Sequence, residues 1–191
     1  RGITDVDTLA PVKSDSRLYI WQGDITTLKC DAIVNACNSQ MLGCFSPMHA
    51  CIDNFIHTYA GMELRLKMHE IMAKQGHEEE TGKAKITSGY NLPAKYILHT
   101  VGPIIQWEVT KKDEALLASC YRECLKLAAD TGVESIAFCC LSTGVFRFPQ
   151  QRAAEIATNT VKQYLNKDSS IKKVIFNVFK DEDLKIYSGL L

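Results

Sequence analysis

The feature that most constrains this chain is a set of short runs with hardly a polar residue in them. Ile136–Leu141 is apolar at every position, and Val174–Val178 at all but Asn177. A strand with one solvated face alternates in polarity, so runs of this kind predict strands buried on both faces. They predict strands over Ser135–Cys140 and Lys173–Val178, joined by Arg17–Gln22, Ala32–Asn35, Lys85–Ser88 and Tyr96–Val101, which are rich in β-branched and aromatic residues. Longer segments lie between them, with helices predicted over Asp53–Lys74, Asp113–Thr131 and Gln150–Asn166 and a last one from Asp181. In the third, Ala153, Ala154, Ile156, Ala157, Val161 and Tyr164 recur at helical spacing. Pro149 stands just ahead of it, where a fixed φ suits a first turn, and Gly132 follows the second helix as a C-terminal cap. Doubly buried strands alternating with helices make an α/β fold, a mostly parallel sheet sandwiched between helices. Ligands of such sheets bind outside the carboxyl ends of the strands.

A length of 191 residues suits one domain, placed here at residues 16–191, with the turn-rich residues 1–15 read as an N-terminal arm or the remnant of a larger region. The chain opens on Arg1 rather than Met, so further residues are expected upstream. Lys plus Arg equals Asp plus Glu at 22 each, which argues against polyanion binding by bulk charge, so no nucleic-acid partner is expected. No run approaches the ~20 apolar residues of a membrane span, and a cytoplasmic monomer is expected. Eight cysteines could suggest disulfides, but the adjacent Cys139 and Cys140 point to opposite faces of a strand, so reduced thiols are expected.

Three loops at the predicted carboxyl ends carry unusual chemistry. Gly23-Asp24-Ile25-Thr26 follows the first strand; Asp24 reads first as a cap, with a hydrogen bond to an exocyclic amine or ribose hydroxyl as the alternative. The second loop holds Asn35, Asn38, Ser39 and Gln40, then Cys44, His49 and Cys51 spaced C-x4-H-x-C. Two thiolates and an imidazole suit zinc, and three ligands with one position open is the pattern of a catalytic site. Spacing alone leaves ordinary core cysteines equally open. His57, the only other nearby donor, falls inside the following helix. The third loop, Ser142-Thr143-Gly144-Val145-Phe146-Arg147-Phe148-Pro149, joins a strand to a helix N-terminus, where backbone amides can cradle phosphate oxygens.

Together these loops resemble the macrodomain family. The resemblance rests on WQGDIT at Trp21–Thr26, an NAxN element at Asn35–Asn38, HTVGP at His99–Pro103 and STGVFRFP at Ser142–Pro149, in the family's order from about Tyr19 to Val178. It implies a three-layer α/β/α macrodomain with a mixed, mostly parallel central sheet. Where glycine-rich hydrolytic relatives carry a V-D-G-A-I-H helix start, this chain reads LGCFSPMHACIDNFIH, which resembles the zinc-containing, protein-ADP-ribose hydrolase branch. That implies Zn2+ on Cys44, His49 and Cys51, with Asp53 and Asn38 as catalytic residues. Asp24 would receive the adenine amine and Ile25 touch the ring; Asn38 would bond the distal ribose, and Ser142, Thr143, Gly144, Val145 and Phe146 would hold the diphosphate. Cys37 stands where the family commonly has alanine, which raises either an oxidant-sensitive thiol or an inert buried one. The implied activity is removal of mono-ADP-ribose from a modified protein, through a carboxylate linkage, releasing ADP-ribose. A non-catalytic ADP-ribose reader and a hydrolase of small derivatives such as O-acetyl-ADP-ribose are the alternatives.

Overall fold

A computed structural model describes residues 2–167 and 170–191. Its six-stranded sheet is built from β2 (Leu18–Gln22), β4 (Ala32–Cys37), β5 (Ala84–Ser88), β6 (Tyr96–Val101), β7 (Ser135–Phe138) and β8 (Lys173–Val178). The order is β2-β8-β7-β4-β6-β5, parallel throughout except for β5, which runs antiparallel to β6 along one edge. A small parallel pair joins β1 (Thr4–Asp5) to β3 (Leu28–Lys29), so part of the expected arm is docked, with Val6 buried. The helices are α1 (Ile52–Ala60), α2 (Met62–Gln75), α3 (Lys111–Asp130), α4 (Gln150–Leu165) and α5 (Asp181–Leu190). α1 packs with α2, while α3, α4 and α5 pack on one another, completing the three-layer α/β/α sandwich. Ile136, Ala137, Phe138, Val174, Ile175 and Phe176 are almost wholly buried, as doubly covered strands require. Each large aliphatic or aromatic side chain among them contributes roughly 1.5–3 kcal/mol.

Three boundaries differ from expectation in ways that shape the site. The predicted helix over Asp53–Lys74 is two helices, broken at Gly61, whose φ of 95° ends α1 and starts α2. A Cβ there would come within 2.7 Å of Asn91 Nδ2, so glycine is needed both for the conformation and for the space. Strand β4 continues to Cys37, which puts Asn35 inside the sheet, fully buried and opposite His99 of β6. Conversely, pairing of β7 stops at Phe138, and the chain turns through Ser142, whose φ is 63°.

Other junctions follow local chemistry. Thr110 and Asp113 form a reciprocal capping box that starts α3 two residues earlier than expected. Gly132, φ 78°, closes α3 with Gly132 N–H donating to Ala129 O and Val133 N–H to Ala128 O, a Schellman turn. Pro149, φ −58°, precedes α4 as expected.

Candidate active site

The loops after β2, β4, β6, β7 and β8 gather at one end of the sheet. The loop after β4 is the most constrained. Met41 and Met48 adopt φ of 57° and 60°, and Gly43 lies at φ 89° with its missing Cβ facing the His57 ring and the Arg65 guanidinium, at 2.9 and 3.0 Å. Arg65 in turn lies over the Phe45 ring at 4.6 Å. The backbone is thereby folded so that Cys44, His49 and Cys51 offer ligand atoms all within 4.8 Å of one another. Cys44 Sγ is 3.4 Å from His49 Nδ1. In a tetrahedron with Zn–S near 2.3 Å and Zn–N near 2.0 Å, sulfur and nitrogen lie about 3.5 Å apart, so this donor set fits zinc. Cys51 also caps α1, its sulfur accepting from Asn54 N–H at 3.4 Å, and partial burial holds its thiol above the usual range. His57 is no part of this group, as its place in a helix required.

In the first turn of α1 sits Asp53, buried. Its Oδ1 accepts from Asn35 Nδ2 at 2.8 Å, and His57 Nε2 lies 3.6 Å from the same oxygen, too far for a hydrogen bond. Burial pushes the Asp53 carboxyl up to about 6, while the Asn35 bond and Arg65 pull it back. Burial, and secondarily Arg65, depresses His57 to about 4; burial, then His57, depresses His99 to about 3. Both imidazoles are therefore neutral near pH 7, and Arg65 is the cation that acts on Asp53. Such a carboxyl, buried and ionising close to neutrality, is suited to take or orient a proton.

Around this centre the other expected residues fall unevenly. Asn38 is tied into its own loop: its Oδ1 accepts from Gln40 and Met41 N–H, and its Nδ2 donates to Gly43 O at 3.3 Å. Asp24 caps a 3-10 turn at Ile25–Thr27, accepting from Thr26 N–H and Oγ1 at 2.9 and 2.6 Å. Ile25 turns its side chain into the core, 1% exposed, so what it can offer a ligand is backbone. The loop of Ser142–Phe148 is closed by Phe148 N–H donating to Ser142 O and Arg147 N–H to Gly144 O. The amides of Thr143, Gly144, Val145 and Phe146 take no part in these bonds, and Gly144 and Val145 face solvent. Gly102 of the HTVGP run packs so tightly on Ser142 Oγ that a Cβ there would force the Ser142 side chain to move. Cys37 is buried with its thiol donating to Thr100 O at 3.2 Å, and burial holds it well above the usual range, an inert thiol.

Sequence reasoning missed several neighbours. His57 was legible as the residue four after Asp53 on one helix face. Thr87, bonded to His99, and Phe179, exposed at the end of β8, left no comparable signal.

A chain with this sheet and these loops has known counterparts. Residues 34–157 match the macro domain family, and the chain belongs to it. It is 58% identical to a protein-ADP-ribose hydrolase of Treponema medium, covering all of this chain and 74% of that protein. It is 59% identical to one of Staphylococcus aureus (strain MRSA252), covering 97% and 70%. Among solved structures it superposes on the Trypanosoma brucei macrodomain in complex with ADP-ribose with a TM-score of 0.84 at 33% identity, covering all of this chain and 77% of that one. Among the described residues, no helix is long and apolar enough to cross a membrane.

Proposed function

We propose that this chain hydrolyses mono-ADP-ribose from modified protein side chains, with a zinc ion held by Cys44, His49 and Cys51. The observation that carries the reading is the convergence of those three donors directly ahead of the helix turn that presents Asp53. The names of the relatives, protein-ADP-ribose hydrolases, and an ADP-ribose-bound neighbour of the same fold support it.

The nucleotide is held away from the reacting bond. Asp24 receives the adenine amine while Ile25 lines the ring through its backbone. The amides from Thr143 to Phe146, which take no part in the bonds that close their loop, take the diphosphate oxygens together with Ser142 at the approach to α4. Asn38, whose amide already braces Gly43, gives its second N–H to the distal ribose. This fixes the anomeric carbon beside Asp53, and positioning of that kind can lower a barrier by several kcal/mol. A bound zinc ion would supply Lewis acidity there. Asp53 accepts a hydrogen bond from water and orients it, and its raised pKa lets it hold the proton that the attack releases. The linkage is an ester to an aspartate or glutamate, a bond in which either the anomeric or the acyl carbon is open to attack.

The test is release of free ADP-ribose from a defined carboxylate-linked conjugate, with zinc content measured on the same preparation. His49→Ala is expected to abolish release, by a thousandfold or more in the range metal sites contribute (~4 kcal/mol), with ADP-ribose affinity within a few fold of the parent. Undiminished release from metal-free protein would sink the zinc role; binding without release would leave a reader.

A further inference from the structure

Three buried polar side chains behind Asp53 are joined in a line that the hydrolytic scheme above does not use. Asn35 on β4 and His99 on β6 stand directly opposite one another. Thr87 of the edge strand β5 is the diagonal neighbour of His99, since Lys85 is paired with His99 and Thr87 with Ile97. By the period of two, all three side chains share the face of the sheet that Asp53 and α1 cover. Thr87 Oγ1 is 2.9 Å from His99 Nε2, and His99 Nδ1 is 3.3 Å from Asn35 Nδ2. Asn35 Nδ2 is 2.8 Å from Asp53 Oδ1, and the Thr87 hydroxyl donates to Ser88 O at 3.2 Å.

These contacts admit one direction of hydrogen bonding. Against a carboxylate oxygen at 2.8 Å only the amide nitrogen of Asn35 can stand, so one of its hydrogens goes to Asp53. The other points at His99 Nδ1, which must then accept. A neutral imidazole that accepts at Nδ1 carries its proton on Nε2 and donates to Thr87 Oγ1, whose own hydrogen passes to Ser88 O. Every donor in the line is used once. Reversing any single bond sets two donors or two acceptors face to face.

We infer that Thr87 and His99 are positioning residues for Asp53, fixing the tautomer of His99 and through it the orientation of the Asn35 amide. The inference rests on the hydrolase reading for its consequence, since Asp53 matters to catalysis only there. Asn35 Oδ1 has no partner of its own and is fully buried, so besides the Asp53 carboxylate itself only His99 among the described residues holds the amide in this sense. Without the Thr87 acceptor, His99 is free to place its proton on Nδ1. Asn35 then turns its oxygen toward His99 and loses the donor that aims the Asp53 carboxylate. Thr87 and His99 touch no substrate; their effect travels only through the amide.

The experiment reads the tautomer and the turnover separately. Long-range proton–nitrogen correlation on 15N-histidine-labelled, zinc-loaded protein is expected to show His99 as the neutral Nε2–H form at pH 7. Thr87→Val, which keeps the branched shape, is expected to shift His99 toward Nδ1–H and to lower kcat about tenfold (~1.4 kcal/mol). KM, zinc content and ADP-ribose affinity stay within twofold, and Thr87→Ser restores both tautomer and kcat. An Nδ1–H or doubly protonated His99 in the parent protein overturns the inference, as does Thr87→Val with parental tautomer and kcat. Loss of zinc or of ADP-ribose binding in Thr87→Val with no tautomer change overturns it too, as a merely structural effect. The tautomer is read without substrate, so a failure of the hydrolase reading, seen as no release by the parent, is told apart.

Discussion

At the amino ends of the strands, lysines meet carboxylates in matched pairs: Lys29 with Asp5, Lys95 with Asp31, Lys172 with Glu134 and Lys173 with Asp7. They line a cavity of about 440 Å3, yet each cation there already has its anion. At the carboxyl ends the polar groups are left incomplete. Asn35 Oδ1, both ring nitrogens of His57 and Ser142 Oγ are buried without a hydrogen-bond partner among the described residues. Among the described residues, four of the five non-glycine residues in left-handed conformation, Met41, Met48, Ser142 and Arg147, also lie in the loops of that end. Each such residue costs of order 1 kcal/mol or more. One end of the sheet is finished for stability, and the other holds strain and unmet valence where a ligand can use them. That cavity is therefore a poor guide to where chemistry happens; the unfinished end is the better one.

Substitutions at the two ends should separate cleanly. Asp53→Asn keeps the size of the side chain and removes the proton acceptor, and is expected to lower kcat about a hundredfold or more. The melting temperature should hold or rise, because a carboxylate no longer has to be buried; a parental kcat would remove Asp53 from the mechanism. Gly102→Ala pushes a methyl into Ser142 Oγ. It is expected to weaken ADP-ribose binding about tenfold and to cost about 1–3 kcal/mol of stability, by calorimetric titration and urea unfolding. Unchanged affinity would mean that the Ser142 loop does not hold the nucleotide.

The amino end should respond in stability alone. Asp31 accepts from Glu134 and Ser135 N–H, from Ser135 Oγ and from Lys95. Asp31→Ala is expected to cost about 2 kcal/mol, whereas Lys172→Ala, in an exposed pair, costs about 0.5 kcal/mol or less. Neither should change turnover. If Lys172→Ala altered kcat or KM, the division between the ends would fail.

Much of the scaffold was legible in the residues, and so was the grouping of Cys44, His49 and Cys51. The strands expected from the residues end within two residues of those observed, and Pro149 and Gly132 stand where helix geometry wants them. The break at Gly61 was not legible. A glycine inside a helical pattern is often tolerated, and only the packing of Asn91 shows why this one is not. Asn35 was misplaced for a similar reason: a polar residue after three apolar ones reads as a strand's end, unless a buried partner such as Asp53 is known to wait for it. Ile25 sits in a motif whose role suggests contact with a ligand, yet it spends its side chain on the core.

What the sequence by itself determined is whatever depends on neighbours within a turn or a strand: the alternation of elements, their caps, and three soft donors packed into eight residues from Cys44 to Cys51. Tertiary structure alone decided which partners meet across longer separations, such as Asn35 with Asp53 and His99, 18 and 64 residues apart, or Lys173 with Asp7 at 166. The reason is physical. Periodicity and capping are short-range and repeat along the chain, whereas the direction of a buried hydrogen bond and the charge state of a carboxyl depend on every group within a few ångströms once the fold has closed.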